Sequence, residues 1–425
     1  METRHQEDEE YLFYVGIDWA TEQHQCCVMS AAGKVVGNRN VEHSGAGVSA
    51  MLGWVRALTG AEPSQIAVAI ETPRGPVVEA CLEHKHPVFA VNPKQLDRFR
   101  DRHSVAGAKD DDRDAFVLAD SLRTDQPCFQ RVKSDGPEIL RIRELSRMEA
   151  DFTENMQRAV NQLYQLLLRY YPQILQLSKN PDEPWLWALL KIAPTPQLGA
   201  KLSLVRLQKL LQAHGIRRWK AEQIQGILAA LPLPLTPGSQ EAISERVLLL
   251  LPQLHLLRMQ GKEVAKRLQT LLDQMLIPAP QKPESTEHRD VAVLLSSPGV
   301  GRIIAATMLA EASQPLAKRD YHALRVYGGV APVTRKSGKT RQVLIRYSCN
   351  QRVRNALYHW ARVAVQQEDH SQNHYARLRQ KGHSHGRALR GVADRLLAML
   401  MAMLKKGTPY DVSLRSPARP DTQAA

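Results

Sequence analysis

No apolar run in this chain of 425 residues reaches the length needed to cross a bilayer. Met1 to Glu10 are acidic and polar, unlike a secretory leader. A membrane protein is therefore not expected, and a cytoplasmic one is. Cysteine is scarce. Cys26, Cys27, Cys81, Cys128 and Cys349 have neither the paired spacing of a metal site nor a disulfide framework, so no zinc or redox role follows. Acidic residues are outnumbered, 43 against 57 Lys and Arg, leaving a net charge of +14 and a pI near 9.6. A surplus of that size attracts polyanions, nucleic acid first among them; the plainer reading is a generically basic surface.

The length allows two or three domains, each with its own core. From Tyr11 the chain reads as a strand ending at Asp18, followed by strands over Gln25 to Ser30 and Val35 to Val41 and a helix over Val48 to Leu58. A compact apolar strand, Ile66 to Ile70, ends at Glu71, and a further strand, Val88 to Val91, precedes a helix from Pro93 and an acidic helix running to Arg123. Three strands, helix, strand, helix, strand, helix is the layer plan of an α/β ribonuclease H-like domain, expected over 11–130. Between Pro137 and Tyr171 a long helix repeats Leu145, Phe152, Ala159 and Leu166 every seven residues, with Met156, Leu163 and Tyr170 four later and Glu149 breaking the second row. A second long helix, about Glu241 to Met275, is expected to break or kink at Pro252. The pair reads as a helical coiled-coil hairpin over 137–277 with an inserted helical lobe from Pro184 to Leu231. Its seam suits either an ordinary bundle core or an intermolecular coiled coil. After a polar linker, a mainly α C-terminal domain spans 291–406, opening on Ser297-Pro298-Gly299-Val300-Gly301, a helix-hairpin-helix-like turn whose N–H groups at Gly299 and Gly301 could hold a phosphate. Residues 1–10 and 407–425 read as disordered tails.

The acidic helix opens on Lys109-Asp110-Asp111-Asp112-Arg113-Asp114-Ala115. Asp111 and Asp114 stand one turn apart on one face and repel unless a cation lies between them. The plainer reading is an acidic first turn that complements the helix dipole. Asp18 and Glu71 end strands that a sheet with neighbouring first and fourth strands would bring side by side. Four carboxylates on one edge suit divalent metal, Mg²⁺ or Mn²⁺, with two ions roughly 3.5–4 Å apart acting on a phosphodiester. Sugar kinases and actin-like ATPases also begin with Gly-Ile-Asp, but here Trp19-Ala20-Thr21-Glu22 follow, without the glycine that close approach to phosphate needs. In the last domain Thr334-Arg335-Lys336-Ser337-Gly338-Lys339-Thr340-Arg341 surrounds one serine with cations. Such a hydroxyl could attack phosphorus, or the loop could only grip backbone phosphates.

Taken together these motifs resemble the serine transposases of bacterial insertion sequences with an Asp-Glu-Asp-Asp RuvC-like domain, related to the Piv-type DNA invertases. Gly16-Ile17-Asp18 resembles the first acidic motif, Glu71 the second, and Lys109 to Ala115 the Lys-x-Asp-x-x-Asp-Ala signature, which selects Asp111 and Asp114. Ser297 to Gly301 resembles the Pro-Gly-Val-Gly turn, and Gly329 to Gly338 the Gly-Leu-x-Pro…Ser-Gly segment. The resemblance implies an RNA-guided DNA recombinase: metal-binding carboxylates acting with Ser337 of a neighbouring subunit to form a phosphoserine link to DNA, an element-encoded bridge RNA, and a homo-oligomer, dimer or tetramer. Val330 stands where Leu is usual, Lys336 where Gln often precedes the serine, and Cys349 where Gly is frequent before Asn350. Downstream, Arg352, Arg354, His359, Arg362, His383, His385 and Arg387 read as a polyanion-binding face or as solvated surface. Two other functions are carried: a RuvC-like nuclease with water as nucleophile, and a nucleic-acid-binding protein with an inert acidic site.

Overall fold

The first apolar run becomes the centre of a six-stranded sheet. In the computed structural model, which describes residues 10–103, 111–276, 286–338 and 340–412, the chain divides into two units, 1–135 and 136–425. The first unit runs β1 (Phe13–Asp18), β2 (Gln23–Ser30), β3 (Val35–Glu42), α1 (Gly45–Thr59), β4 (Ile66–Ile70), α2 (Pro76–Glu83), β5 (Val88–Ala90), α3 (Pro93–His103), α4 (Asp111–Asp125) and β6 (Gln130–Val132). Strand order is β3-β2-β1-β4-β5-β6; β4 runs parallel to β1 and β5, and the outer pairings are antiparallel. Alternation sorts the side chains onto two faces. Val15, Ile17, Ile66 and Val68 pack on one side with Met51, Val55 and Val77 of α1 and α2. Tyr14, Ala67 and Ala69 pack on the other with Leu96 of α3 and Leu118 and Leu122 of α4. With both faces covered, all of β4 is buried. The order foreseen from the sequence is observed, with β6 in addition.

The second unit is mostly helical: α5 (Pro137–Tyr170), α6 (Pro184–Ile192), α7 (Pro196–Ala200), α8 (Leu204–Ala213), α9 (Ala221–Leu228), α10 (Ser239–Leu276), α11 (Thr286–Ser296), α12 (Arg302–Glu311), α13 (Ser313–Ala317), α14 (Tyr321–Tyr327), a hairpin of β7 (Val333–Ser337) and β8 (Thr340–Leu344), then α15 (Gln351–Gln367), α16 (Asp369–Gln380) and α17 (His385–Lys406). α5 and α10 lie antiparallel: the start of α5 (Ile139, Ile142) shares a core with the end of α10 (Leu268, Leu272), and its end (Leu163, Leu167) with the start of α10 (Val247, Leu251). Leu163, Leu166 and Tyr170 of the heptad seam are buried, while Leu145, Phe152, Met156 and Ala159 are half-buried. Glu149, which interrupts the seam, is paired with Arg302 of α12 at 2.5 Å.

A break of the second long helix at Pro252 is not observed. α10 is one helix through Pro252; the ring sits on the exposed side, and Leu250, Leu251 and Leu254 around it stay buried, so packing outweighs the one lost backbone hydrogen bond. Of the tails expected over 1–10 and 407–425, residues 1–9 and 413–425 lie outside the described residues, and only Glu10 and the first residues after 406 fall within them. Gly407 closes α17 in the left-handed conformation, and Tyr410 is tied back by its N–H to Ser296 Oγ at 2.9 Å and by its hydroxyl to Glu368 at 2.6 Å.

Candidate active site

Parallel pairing sets the first two carboxylates. Ile17 is in register with Ile70, so the next residues, Asp18 and Glu71, leave adjacent strand ends on the same edge of the sheet. α4 then crosses this edge at the closest approach two elements can make. A Cβ built on Gly16 would fall on the carbonyl oxygen of Ala115 and 2.6 Å from the backbone nitrogen of Ala119, so β1 meets the helix backbone directly, which only glycine permits. The opening of α4 lies over β2 as well: burial, and then the charge of Asp112, push the Cys27 thiol up to about 11.

Asp114, one turn into α4, is 1% exposed. Both its oxygens are held by the Arg100 guanidinium of α3, Nε to Oδ1 and Nη2 to Oδ2, each at 2.6 Å. Arg100 also donates to Asp97 at 2.6 Å. Its pKa is raised first by the Asp114 hydrogen bonds, against the opposing effect of burial, with the Asp114 charge, Asp97 and Glu71 adding to the rise. Sequence reasoning missed Arg100; the available signal was the run Arg98, Arg100, Arg102 directly before an acidic helix. Asp111 begins α4, but its side chain, Lys109 and Lys339 lie outside the described residues. Among the described residues no three His, Cys, Asp or Glu side chains form a ready-made ion cage. The donor chemistry nevertheless fits Mg²⁺ or Mn²⁺: the acids offer only oxygen, and one of them, Asp114, already binds a cation, the Arg100 guanidinium. Exchange of Arg100 for the ion is what would free Asp114. Arg100→Ala leaves a buried carboxylate without its partner, and unfolding of the full chain in denaturant is expected to show a loss of about 3 kcal/mol. Mg²⁺ should restore part of that loss if Asp114 is a ligand.

In the other unit β7 and β8 form a tight hairpin, Ser337 opposite Thr340 across a turn in which Gly338 has φ +52°. Every residue from Thr334 to Ser337 and all of β8 are exposed. Lys336 stands directly opposite Arg341, a like-charge pair that an anion would relieve. Arg335 is exposed beside them. Between α5, α12, α14 and the start of α15 lies a part-buried polar group: Glu311 takes two hydrogen bonds from Arg147, at 2.8 and 3.2 Å, while Asn350 donates to Glu311 at 3.3 Å and to the Tyr327 hydroxyl at 2.9 Å. Burial raises the Glu311 carboxyl, but Arg147 and Asn350 outweigh it and hold the group below the usual carboxylate range. Gly299 packs on α15, where a Cβ would lie 2.8 Å from the backbone nitrogen of Ala364, and Trp360 donates to the Pro298 carbonyl at 2.8 Å. Gly301, at the start of α12, faces open space. Arg352 lies 3.7 Å from Asp151; Arg354 lies over the Tyr347 ring.

No helix among the described residues is long and apolar enough to cross a membrane. Comparison with known proteins supplies the family. Residues 15–172 match DEDD_Tnp_IS110, described as a transposase, and residues 291–376 match Transposase IS116/IS110/IS902 family. The chain is 32% identical over 406 residues to the mini-circle putative transposase for IS117 of Streptomyces coelicolor, covering 94% of this chain and 95% of that protein. It is 43% identical over 209 residues to the putative transposase y4uE of Sinorhizobium fredii, covering 49% of this chain and 58% of that one. An uncharacterized 44.8 kDa protein of insertion element IS116 from Streptomyces clavuligerus is 25% identical over 427 residues, covering 100% of both. These full-length and local matches agree, and the chain belongs to the IS116/IS110/IS902 family of transposases.

Proposed function

We propose that this transposase breaks and rejoins DNA through an ester formed at Ser337, with Asp18, Glu71, Asp111 and Asp114 of a ribonuclease H-like (RuvC-like) domain holding Mg²⁺ or Mn²⁺. The observation that carries the reading is the approach of β1, β4 and α4 at one sheet edge: two carboxylates end adjacent parallel strands, and a third begins the helix packed on Gly16. The strand order with an antiparallel β1–β2–β3 meander beside parallel β4 and β5 supports the fold assignment. An exposed serine at a hairpin tip, with cations on both strands, supports the nucleophile.

The chain's own groups then act as follows. Arg335, Lys336 and Arg341 hold the DNA backbone so that a phosphodiester lies against the Ser337 hydroxyl. The Ser337 Oγ–P bond forms as the P–O bond to the leaving DNA oxygen breaks; the hydroxyl proton passes to a base, and the leaving oxygen departs as the cut strand's terminal hydroxyl once protonated. Bound metal supplies electrostatic stabilisation of the phosphorus oxygens and the leaving oxygen. Rejoining is the same exchange in reverse with another DNA hydroxyl, so the ester conserves the bond energy. Three parts carry the work: the carboxylate domain (11–130), a coiled-coil hairpin with helical insertion (137–277) and the serine domain (291–406). The motifs shared with the serine transposases extend the reading to site selection by a bridge RNA and to a homo-oligomer in which the serine of one copy serves the carboxylates of another. In cells, Asp111→Asn combined with Asp114→Asn is expected to abolish DNA rearrangement, and Asp18→Asn alone to do the same without disturbing the Arg100 pair. Unchanged rearrangement in both would remove the catalytic assignment.

A further inference from the structure

Three arginines lie near the starts of two helices that pack together, α15 and α17. Arg354 lies in the opening turns of α15, and Arg387 and Arg390 in those of α17; α14 bridges the two helices, Gly328 at its end lying against Val353 while Arg325 pairs with Asp394 of α17. Among the described residues no carboxylate pairs with any of the three, whereas neighbouring Arg352 has Asp151 and Arg325 has Asp394. The cost is visible at Arg390, whose guanidinium is pushed below the usual arginine range first by burial and then by the charges of Arg354 and Arg387. Opening turns of helices also present the positive end of the backbone dipole, which adds to the same field. Tyr347, just past β8, is 76% exposed, with Arg354 5.5 Å from its ring centre, leaving the ring broadly open to solvent.

We infer that Arg354, Arg387, Arg390 and Tyr347 form a seat for single-stranded DNA, the three guanidiniums holding a backbone phosphate and Tyr347 stacking an unpaired base. Uncompensated guanidiniums are the arrangement a phosphate neutralises, and an exposed ring beside a basic groove is how single strands are held without reading sequence. Tyr347 stands three positions past the end of β8, and β7 from Val333 to Ser337 is about 13 Å long at about 3.3 Å per residue, so the seat would grip a strand near the foot of the element that carries the serine. It goes beyond the nucleophile assignment and does not depend on it.

Binding of a fluorescent single-stranded oligodeoxynucleotide to the full chain, carried out in the Ser337→Ala background without metal, separates the two. Tyr347→Ala is expected to weaken binding roughly 5- to 100-fold while Tyr347→Phe stays near the parent. Arg387→Gln with Arg390→Gln should flatten the slope of log K against log salt by about 0.7 for each phosphate that is no longer neutralised. Arg390→Lys, which keeps the charge should the double variant fold poorly, is expected to keep most of the slope. Arg267→Gln, an exposed arginine paired with Glu263 on α10, should leave it unchanged. Equal slopes for the double variant and Arg267→Gln, equal losses for Tyr347→Ala and Tyr347→Phe, or effects confined to an oligoribonucleotide of the same sequence would each overturn the seat. Loss of covalent product in Ser337→Ala would be untouched by any of them.

Discussion

Ser337→Ala is expected to leave a protein that binds DNA and yields no covalent protein–DNA adduct, with recombinant product reduced roughly 10⁴-fold or more. The side chain is exposed at the end of β7 and its neighbours make the hairpin register, so removing one oxygen leaves fold and phosphate grip in place. What disappears is the only atom at the tip that the proposal lets bond to phosphorus. Denaturing gel electrophoresis after incubation with substrate and Mg²⁺ reads the adduct directly, and mass spectrometry of the parent adduct should place the ester on Ser337. A Ser337→Ala protein that still cuts DNA at full rate would make water the nucleophile and the enzyme a RuvC-like nuclease.

Gly16→Ala should have the largest effect on the folded state. A methyl group there meets backbone rather than a side chain that could rotate away, since the obstructing atoms are the Ala115 carbonyl and the Ala119 nitrogen. α4 must then lift off β1 along its first two turns, taking Asp114 with it. A loss of about 3 kcal/mol or more is expected, a fall in Tm of roughly 10 °C, together with loss of DNA rearrangement. Differential scanning calorimetry of the full chain checks the first, and DNA rearrangement in cells the second. Wild-type melting in the variant would mean that α4 does not rest on Gly16.

Which features could be read from the sequence follows from how local their causes are. β1 and β4 were legible because apolar runs ending in Asp18 and Glu71 need no distant partner to be recognised, and the heptad of α5 because its period is written in one stretch. β6 was not, since Gln130–Val132 is a short edge strand whose only reason to exist is its pairing with Val88–Ala90. The continuity of α10 through Pro252 was not legible, because propensity carries no information about Leu251 and Leu254 being buried beside it. Among site residues, Asp114 was chosen from four aspartates by motif, but its occupied state was hidden: Arg100 lies on a different helix, and their pairing depends on how α3 and α4 pack. The same holds for Arg390, which acquires its neighbours only when α15 and α17 come together.

The bare hairpin has a cost of its own. Two short strands with no covering layer expose unpaired N–H and C=O groups along both outer edges, the template on which separate molecules add strand to strand. Arg335, Lys336 and Arg341 would repel a second copy at those edges, so the charges proposed to hold DNA are also expected to oppose strand-to-strand association. A variant that neutralises them should therefore lose solubility along with affinity, and excess nucleic acid, by masking the same charges, leaves the hairpin edges protected only for as long as the polyanion itself covers them.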